Sequence, residues 1–557
     1  TFSARARSAC GVRWGAAMVA VLPVSDATSD GAGVEYRRRR PELSDFYQVV
    51  AENYRTLEAA ADEGFIAPLP SFVKDEFEGF MSCGVLAGGF GFLQCQNPEC
   101  REKLLAAFSC KGRAWCPSCL GRTMAETAAN WTDHVLPSRA PLRQWVLTLP
   151  FELRARVAYD RELLGRITRL FTDSVLGFYH RTMRDLYRVG KGQSGAITVV
   201  QRVNSDLRLN PHLHLISLDG VFVETEDESL VFHRLPSLSN SDVADLLHAA
   251  RVRILAFLAR RGVVERDSQR DSELRLTDDG FAEREPELAA LATAAVTGNP
   301  PAGPEQRQRP AIVLPDRGER AVSGLSARED GFSVHAATTA PGDDARARET
   351  LCKYVLRPPL AQDRVRRLEN GLVRILLKRA FSDGTTAIDL DPLSLLCRLA
   401  ASVPPPRAHR VHYSGVLAAA HRWRPRVVPP PPPVDECAST TDDAHAHAHS
   451  HDEASTDARP ATHRSRYRPW RELLKRTFKI DIEKCAKCGA PMLLRALVTA
   501  AETVTRFLRR LGEDPEPPPI APARRPPFFT SPALRRRLGE LDEIEGDSRR
   551  QMDMFDA

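Results

Sequence analysis

Two strand-like runs, GAITVVQR (195–202) and HLHLISLDGVFV (212–223), flank a short loop rich in Asn, Ser and Asp. A polar loop between two such runs predicts a β-hairpin, and with it an antiparallel sheet. The second run contains His212-Leu213-His214. Side chains alternate in face along a strand, so the two imidazoles lie side by side while Leu213 faces the core. Two imidazoles placed this way can bind one divalent ion, which polarises a phosphodiester and stabilises charge on the attacked phosphate. Taken alone, the triplet also suits two surface histidines that bind nothing.

The chain has 557 residues, enough for two to four domains, and 43% hydrophobic residues give it the means to build a core. Its 41 prolines and several polar stretches mean that not all of it folds. Residues 36–80 (with FYQVVAENYRTLEAA) and 240–263 have helical spacing, as do residues 121–190 around a strand-like break, QWVLTL (144–149). GFSVHAATT (331–339) reads as a strand and PLSLLCRLAASV (392–403) as a helix. Residues 264–328 are polar, without periodicity, and read as an insertion or partly disordered arm. Five prolines at 429–433 and HAHAHSH at 445–451 mark a linker.

Net charge is +6, from 78 basic and 72 acidic residues, a mild lean toward nucleic acid. Clusters such as Arg37 to Arg40 and Arg535 to Arg537 can neutralise phosphates, or simply be solvated. No stretch is long and apolar enough to span a membrane. The apolar stretch from Gly15 to Val24 is too short for a signal peptide and is cut by Pro23 and Asp26, and Met18 is read as the true start. The expected location is cytoplasmic.

Twelve cysteines in so long a chain do not make a disulfide scaffold. Six lie between Cys83 and Cys119, a pattern that favours zinc in a reducing compartment. Cys116-x2-Cys119 supplies half of a tetrahedral thiolate site; Cys95 and Cys100 are the first choice for the other half, with Cys83 or Cys110 as substitutes. Four thiolates leave no open position, so the role is structural. Cys485-x2-Cys488, followed by Gly489, is another half-site with no second pair after it, as readily a remnant as a metal site.

Tyr354 lies on a helix (345–357) that Pro358 and Pro359 stop. A tyrosine hydroxyl can attack phosphorus and form a covalent 5′-phosphotyrosine. Its free pKa near 10 means that it needs help, which Lys353 and Arg357 can give by offsetting negative charge. An amphipathic tyrosine packed at a helix end is the plainer alternative.

Residues 195–223, LCKYVLRPPLAQDR (351–364) and residues 382–417, in this order, resemble rolling-circle transposases of the insertion sequence ninety-one family. These belong to the His-hydrophobe-His endonuclease superfamily. AFSCKGRAWCPSC (107–119) resembles their N-terminal zinc-binding domain. The resemblance implies an α/β (α+β) nuclease domain on an antiparallel sheet, with His212 and His214 as metal ligands and Tyr354 as nucleophile. The third ligand stays open between Gln201, which shares a face with His212 if the hairpin pairs them, and His335. Tyr413 is the alternative nucleophile. Two-tyrosine relatives carry their pair four residues apart; Thr350 stands at the earlier position here, so the chain is similar to the single-tyrosine, common-region-like branch. One tyrosine then acts twice, or two subunits of a homodimer cooperate.

The expected domains are a disordered extension (1–35), a helical zinc-binding domain that contacts DNA (36–135) and the tyrosine nuclease domain (136–425), with its insertion at about 264–328. A linker (426–468) and a small C-terminal module with CxxC and a loose Pro-rich tail (469–557) follow. The implied cofactors are Mg²⁺ or Mn²⁺ for catalysis and Zn²⁺ for structure. The implied partners are single-stranded or locally melted DNA at element ends, and target DNA, in the bacterial nucleoid. A replication initiator or relaxase with the same chemistry, and a non-catalytic zinc-dependent DNA-binding protein, are the competing readings.

Overall fold

The computed structural model describes residues 36, 38–188, 191–266, 274–277, 280–297, 324–378, 385–429, 470–478, 480–526 and 528. The expected N-terminal extension, the His-rich run and nearly all of the proline run and the tail lie outside them. Helix α1 (Asp45–Asp62) starts at Ser44, whose hydroxyl accepts from the Tyr47 N–H. With α2 (Ser71–Ser82) it buries an aromatic cluster in which Phe46, Phe77 and Phe80 surround Trp115. The hairpin of β1 (Phe90–Cys95) and β2 (Lys103–Ala107) follows, then α3 (Pro117–His134), opened by a proline whose missing N–H costs nothing at a helix start.

The next part runs β3 (Leu142–Thr148), α4 (Phe151–Tyr159), α5 (Arg161–Tyr187), β4 (Gly195–Val203) and β5 (Leu209–Leu218). β4 and β5 pair antiparallel, with Gln201 opposite His212 and Val199 opposite His214. The register slips by one residue between Gln201 and Val203, with the extra residue on the β5 side. Pro211 has no N–H to give the ladder, and the bulge accommodates it immediately before His212. The run 212–223, expected as one strand, breaks at Asp219. That buried carboxylate accepts from Arg143 Nε at 2.8 Å and from the Tyr179 hydroxyl at 2.9 Å. The chain then turns into β6 (Gly220–Glu224), which pairs with β7 (Leu230–Arg234) outside the main sheet.

α6 (Asn240–Arg260) is followed by the small hairpin of β8 (Val264–Arg266) and β9 (Leu274–Leu276), then α7 (Phe281–Arg284) and α8 (Pro286–Thr297). Part of the stretch expected as an insertion or partly disordered arm is folded, and Ala292 of α8 is fully buried in the same core as Ala158 of α4. The α8 sequence, PELAALATAAVT, combines high helix propensity with little contrast between its faces, so periodicity could not reveal it.

β10 (Ser326–Glu329), β11 (Phe332–His335) and β12 (Thr339–Ala340) precede α9 (Ala345–Leu356). The sheet of β13 (Val365–Arg367), β14 (Val373–Leu376) and β15 (Ala387–Leu390), α10 (Pro392–Ser402), β16 (Val411–Gly415) and α11 (Arg424–Val427) complete this part. The seven-stranded sheet has the order β10-β11-β3-β5-β4-β16, with β12 also on β3, and every pairing is antiparallel. One face carries Trp145, Val200, Leu213 and Leu215 into a core with α5 and α6. The other packs Ile197, Val199 and Ile216 against Leu351, Cys352 and Val355 of α9 and Trp131 of α3. The result is an α+β sandwich in which β5 is interior and Leu213 is fully buried, worth about 1.5–3 kcal/mol.

Beyond the proline run come α12 (Trp470–Phe478), β17 (Met492–Val498) and α13 (Ala501–Leu511). β17 pairs with β1, so the residues expected as a small C-terminal module extend the N-terminal sheet to β17-β1-β2. Residues 521–526, expected in a loose tail, lie along α1: the Ala521 N–H donates to Ala51 O at 3.0 Å, and Phe528 is buried. Among the described residues no helix is long and apolar enough to cross a membrane.

Candidate active site

His212 and His214 project from the face of β5 that α9 covers, with ring centroids 4.9 Å apart and exposures of 6% and 5%. His212 Nδ1 lies 2.7 Å from Asn210 O. A carbonyl only accepts, so Nδ1 carries the proton and Nε2 keeps the lone pair that a cation takes. Gln144 of β3 approaches His214 Nδ1 at 2.7 Å. The near atom is the amide nitrogen, whose N–H donates to His214 Nδ1. Burial, followed by the charges of Arg154 and Arg357, pushes the His212 imidazole down to about 4 despite its bond to Asn210. Burial, then the charge of His212, holds His214 well below its ordinary value. Both rings are therefore held neutral, the form that ligates.

Gln201 sits directly across from His212 and donates its amide to Val355 O at 2.8 Å, which leaves its oxygen for a hard cation. His335 lies opposite Val146, itself opposite His214, so it stands two strands from the pair, roughly 10 Å away by strand spacing. Two neutral nitrogens beside an amide oxygen fit a divalent ion. The buried Oε1 of Gln144, which lacks a hydrogen-bond partner, adds a second amide oxygen in reach of the pair. Gln144 was not singled out from sequence; the available signal was a lone amide in the otherwise strand-forming run QWVLTL.

Tyr354 is 41% exposed near the C-terminal end of α9, and its ring meets that of His214 edge-on at 6.1 Å between centroids. The Arg357 guanidinium lies 4.3 Å from the Tyr354 ring centroid, a cation–π contact that holds positive charge beside the phenol. Lys353 is paired with Glu349 at 2.9 Å, and Arg476 holds the same carboxylate at 2.7 Å. Of the two cations expected to meet phosphate, Arg357 is thus the one next to the hydroxyl-bearing ring. Arg113, Gln201, Arg202, Arg357 and Arg410 line one cleft beside the histidines. Thr350 is exposed one turn before Tyr354. Tyr413 lies on β16, two strands from β5, with its hydroxyl accepting from Trp131 Nε1 at 2.8 Å.

Eight of the described cysteines form two groups. Cys83, Cys110, Cys116 and Cys119 bring their sulfurs within 4.8 Å of one another, as do Cys95, Cys100, Cys485 and Cys488. The four expected as one set, Cys95, Cys100, Cys116 and Cys119, do not come together. β1 carries Cys95 away to the far end of the hairpin, whereas Cys116 and Cys119 open α3 beside the end of α2. The Gly84 N–H donates to Phe108 O at 2.9 Å, tying the Cys83 and Cys110 segments to each other. In the first group Cys83 lies 3.6 Å from Cys116 and 3.7 Å from Cys119, and Cys110 lies 3.3 Å from Cys119. Zinc–sulfur bonds of about 2.3 Å in a tetrahedron require sulfurs about 3.8 Å apart, so the group fits Zn²⁺. Its loop from Cys110 to Cys116 carries Arg113 into the cleft, with Glu76 accepting from the Arg113 and Ala114 N–H groups.

Two family models match the chain. Residues 52–149 match the model described as "Transposase zinc-binding domain", of the insertion sequence ninety-one type, and residues 195–424 match one described as "Putative transposase". No curated protein and no solved structure matches it. A zinc-binding domain followed by a transposase domain defines the class: a DNA-cleaving, strand-transferring enzyme. The two matches support a transposase of the insertion sequence ninety-one type with an N-terminal zinc-binding domain.

Proposed function

We propose that this transposase nicks and rejoins single-stranded DNA at element ends by rolling-circle chemistry through a covalent 5′-phosphotyrosine on Tyr354. The observation that carries this reading is the exposed Tyr354 ring set 6.1 Å from His214. His212, His214 and Gln201 hold Mg²⁺ or Mn²⁺, which when bound polarises the scissile phosphate. The Tyr354 oxygen attacks phosphorus and gives up its proton. The bond to the 3′ oxygen breaks, that oxygen leaves as a hydroxyl, and the 5′ end stays on the tyrosine. Arg357 faces the charge that develops on the phosphate, and the arginine-lined cleft receives the strand. The phosphotyrosine retains the bond energy, so rejoining needs no ATP. With Thr350 in place of a second tyrosine, one tyrosine acts twice or two subunits of a homodimer cooperate.

The test is incubation of purified protein and Mg²⁺ or Mn²⁺ with single-stranded oligonucleotides carrying the element's ends, read by denaturing gel and mass spectrometry. The expected result is an adduct on Tyr354 that is absent in EDTA. Tight binding without an adduct in either metal would favour the non-catalytic DNA-binding reading.

Burial also sets a pH dependence. With His212 at about 4 and His214 well below its ordinary value, both rings stay neutral in the folded state, so Mn²⁺ affinity is expected to change less than about threefold between pH 7 and 5.5. An ordinary pair near 6.5 would lose more than about fiftyfold, as isothermal titration would detect. The same depression costs stability in acid. It has no effect above about 6.5, where both states are neutral. Below that the unfolded chain takes up protons that the folded chain refuses, so stability falls from about 6.5 toward about 4.

A further inference from the structure

We propose that Cys95, Cys100, Cys485 and Cys488 bind a second structural zinc ion, which fastens the segment after the proline run to the N-terminal hairpin. The second pair lies outside both family matches, which end at residue 424. Cys95 Sγ is 3.4 Å from Cys488 Sγ, and Cys100 Sγ is 3.7 Å from Cys485 Sγ, close to the edge of a thiolate tetrahedron, about 3.8 Å. All four sulfurs lie within 4.8 Å of one another.

The backbone around them is built independently of any ion. Cys95 is opposite Met492 in the β1–β17 ladder, and the Gln96 N–H donates to Pro491 O at 2.9 Å. On the other side the Cys485 N–H donates to Ala490 O, and the Gly489 N–H donates back to Cys485 O, both at 2.8 Å. Gly489 has φ +71°, a left-handed conformation that glycine adopts freely, and this tight turn returns Cys488 beside Cys485. Lys487 meets Glu102 at 2.5 Å, a further link between the two segments. The two pairs meet each other across 385 residues or more, although other cysteines lie closer in sequence to Cys95 and Cys100. Free thiols would gain little from such convergence, whereas a cation takes all four.

The site also bears on the catalytic helix. Upstream of Cys485, α12 buries Leu473 and Leu474 with Ala106 of β2 and Ala129 of α3. Its Arg476 reaches Asp133 at 2.6 Å and Glu349, on the Tyr354 helix, at 2.7 Å. Zinc at this site therefore holds the segment whose arginine braces α9.

Zinc content of the full chain tests the proposal. Two zinc ions per chain are expected by mass spectrometry of the metals, and Cys485→Ser with Cys488→Ser is expected to leave one while retaining the fold by circular dichroism. A wild-type content of one, or a double variant that keeps two, overturns it. If the double variant does not fold, the wild type still decides. Its cobalt-substituted form is expected to show thiolate charge-transfer absorption at twice the intensity per chain of a single four-cysteine centre, and the intensity of one centre overturns the proposal.

Discussion

Tyr354→Phe is expected to remove the covalent adduct and to lower nicking of single-stranded element ends by at least about 10³-fold, while affinity for the same DNA stays within about threefold of wild type. Phenylalanine keeps the ring that meets His214 and the face on which Arg357 stacks. Only the hydroxyl is lost, from a side chain that is 41% exposed and contributes little to the core. A loss of 10³ corresponds to about 4 kcal/mol of transition-state stabilisation, far more than the removal of a surface hydroxyl costs in stability. Gel assays on the variant, with DNA affinity measured by fluorescence anisotropy, separate the two quantities. Nicking within tenfold of wild type, or an adduct that persists on Tyr413, would sink the assignment. The geometry is unfavourable to Tyr413: it stands two strands from β5, and its hydroxyl is engaged by Trp131.

The histidine hairpin and the tyrosine helix were legible in the sequence because local rules fix them. Alternation places His212 and His214 on one face, and Pro358 and Pro359 end α9 just after Tyr354. The register that sets Gln201 beside His212 was only a condition at the level of sequence, which the pairing of β4 with β5 meets. Other features depend on contacts distant in sequence. The kink at Asp219 arises from a buried pair with Arg143, 76 residues away, and nothing in SLDG announces it. Gln144 matters only because β3 lies beside β5, a neighbour relation set by the sheet order. The cysteines show the limit most clearly. Spacing identifies half-sites but not their partners, so two complete groups were read as one mixed group and an open half-site. Pairing Cys95 and Cys100 with Cys485 and Cys488 requires the β1–β17 ladder, which no local pattern encodes.

Removing the zinc of the first group is expected to have the second large effect. Cys119→Ser takes one thiolate from the set completed by Cys83, Cys110 and Cys116. Structural zinc is worth about 10–16 kcal/mol in small domains, comparable to the whole stability of a domain, about 5–15 kcal/mol. Besides the thiolates, the loop from Cys110 to Cys116 is held by a few hydrogen bonds to Glu76, Ala408 and Arg410. Cys116 precedes α3 directly. The loss is expected to propagate in two directions. Trp115 would no longer be pinned among Phe46, Phe77 and Phe80, so α1 and α2 loosen and become sensitive to protease. α3, which packs Trp131 on the sheet face beneath α9, and Arg113, which lines the arginine cleft, would also lose their anchor. The variant should therefore lose one zinc ion, expose the N-terminal helices to limited proteolysis, and bind single-stranded DNA at least about tenfold more weakly, even though no residue of the histidine–tyrosine site is altered. A variant with undiminished zinc and wild-type protease resistance would show that Cys119 is not a ligand. One that loses zinc but keeps full DNA affinity would show that the first zinc folds its own module without shaping the cleft.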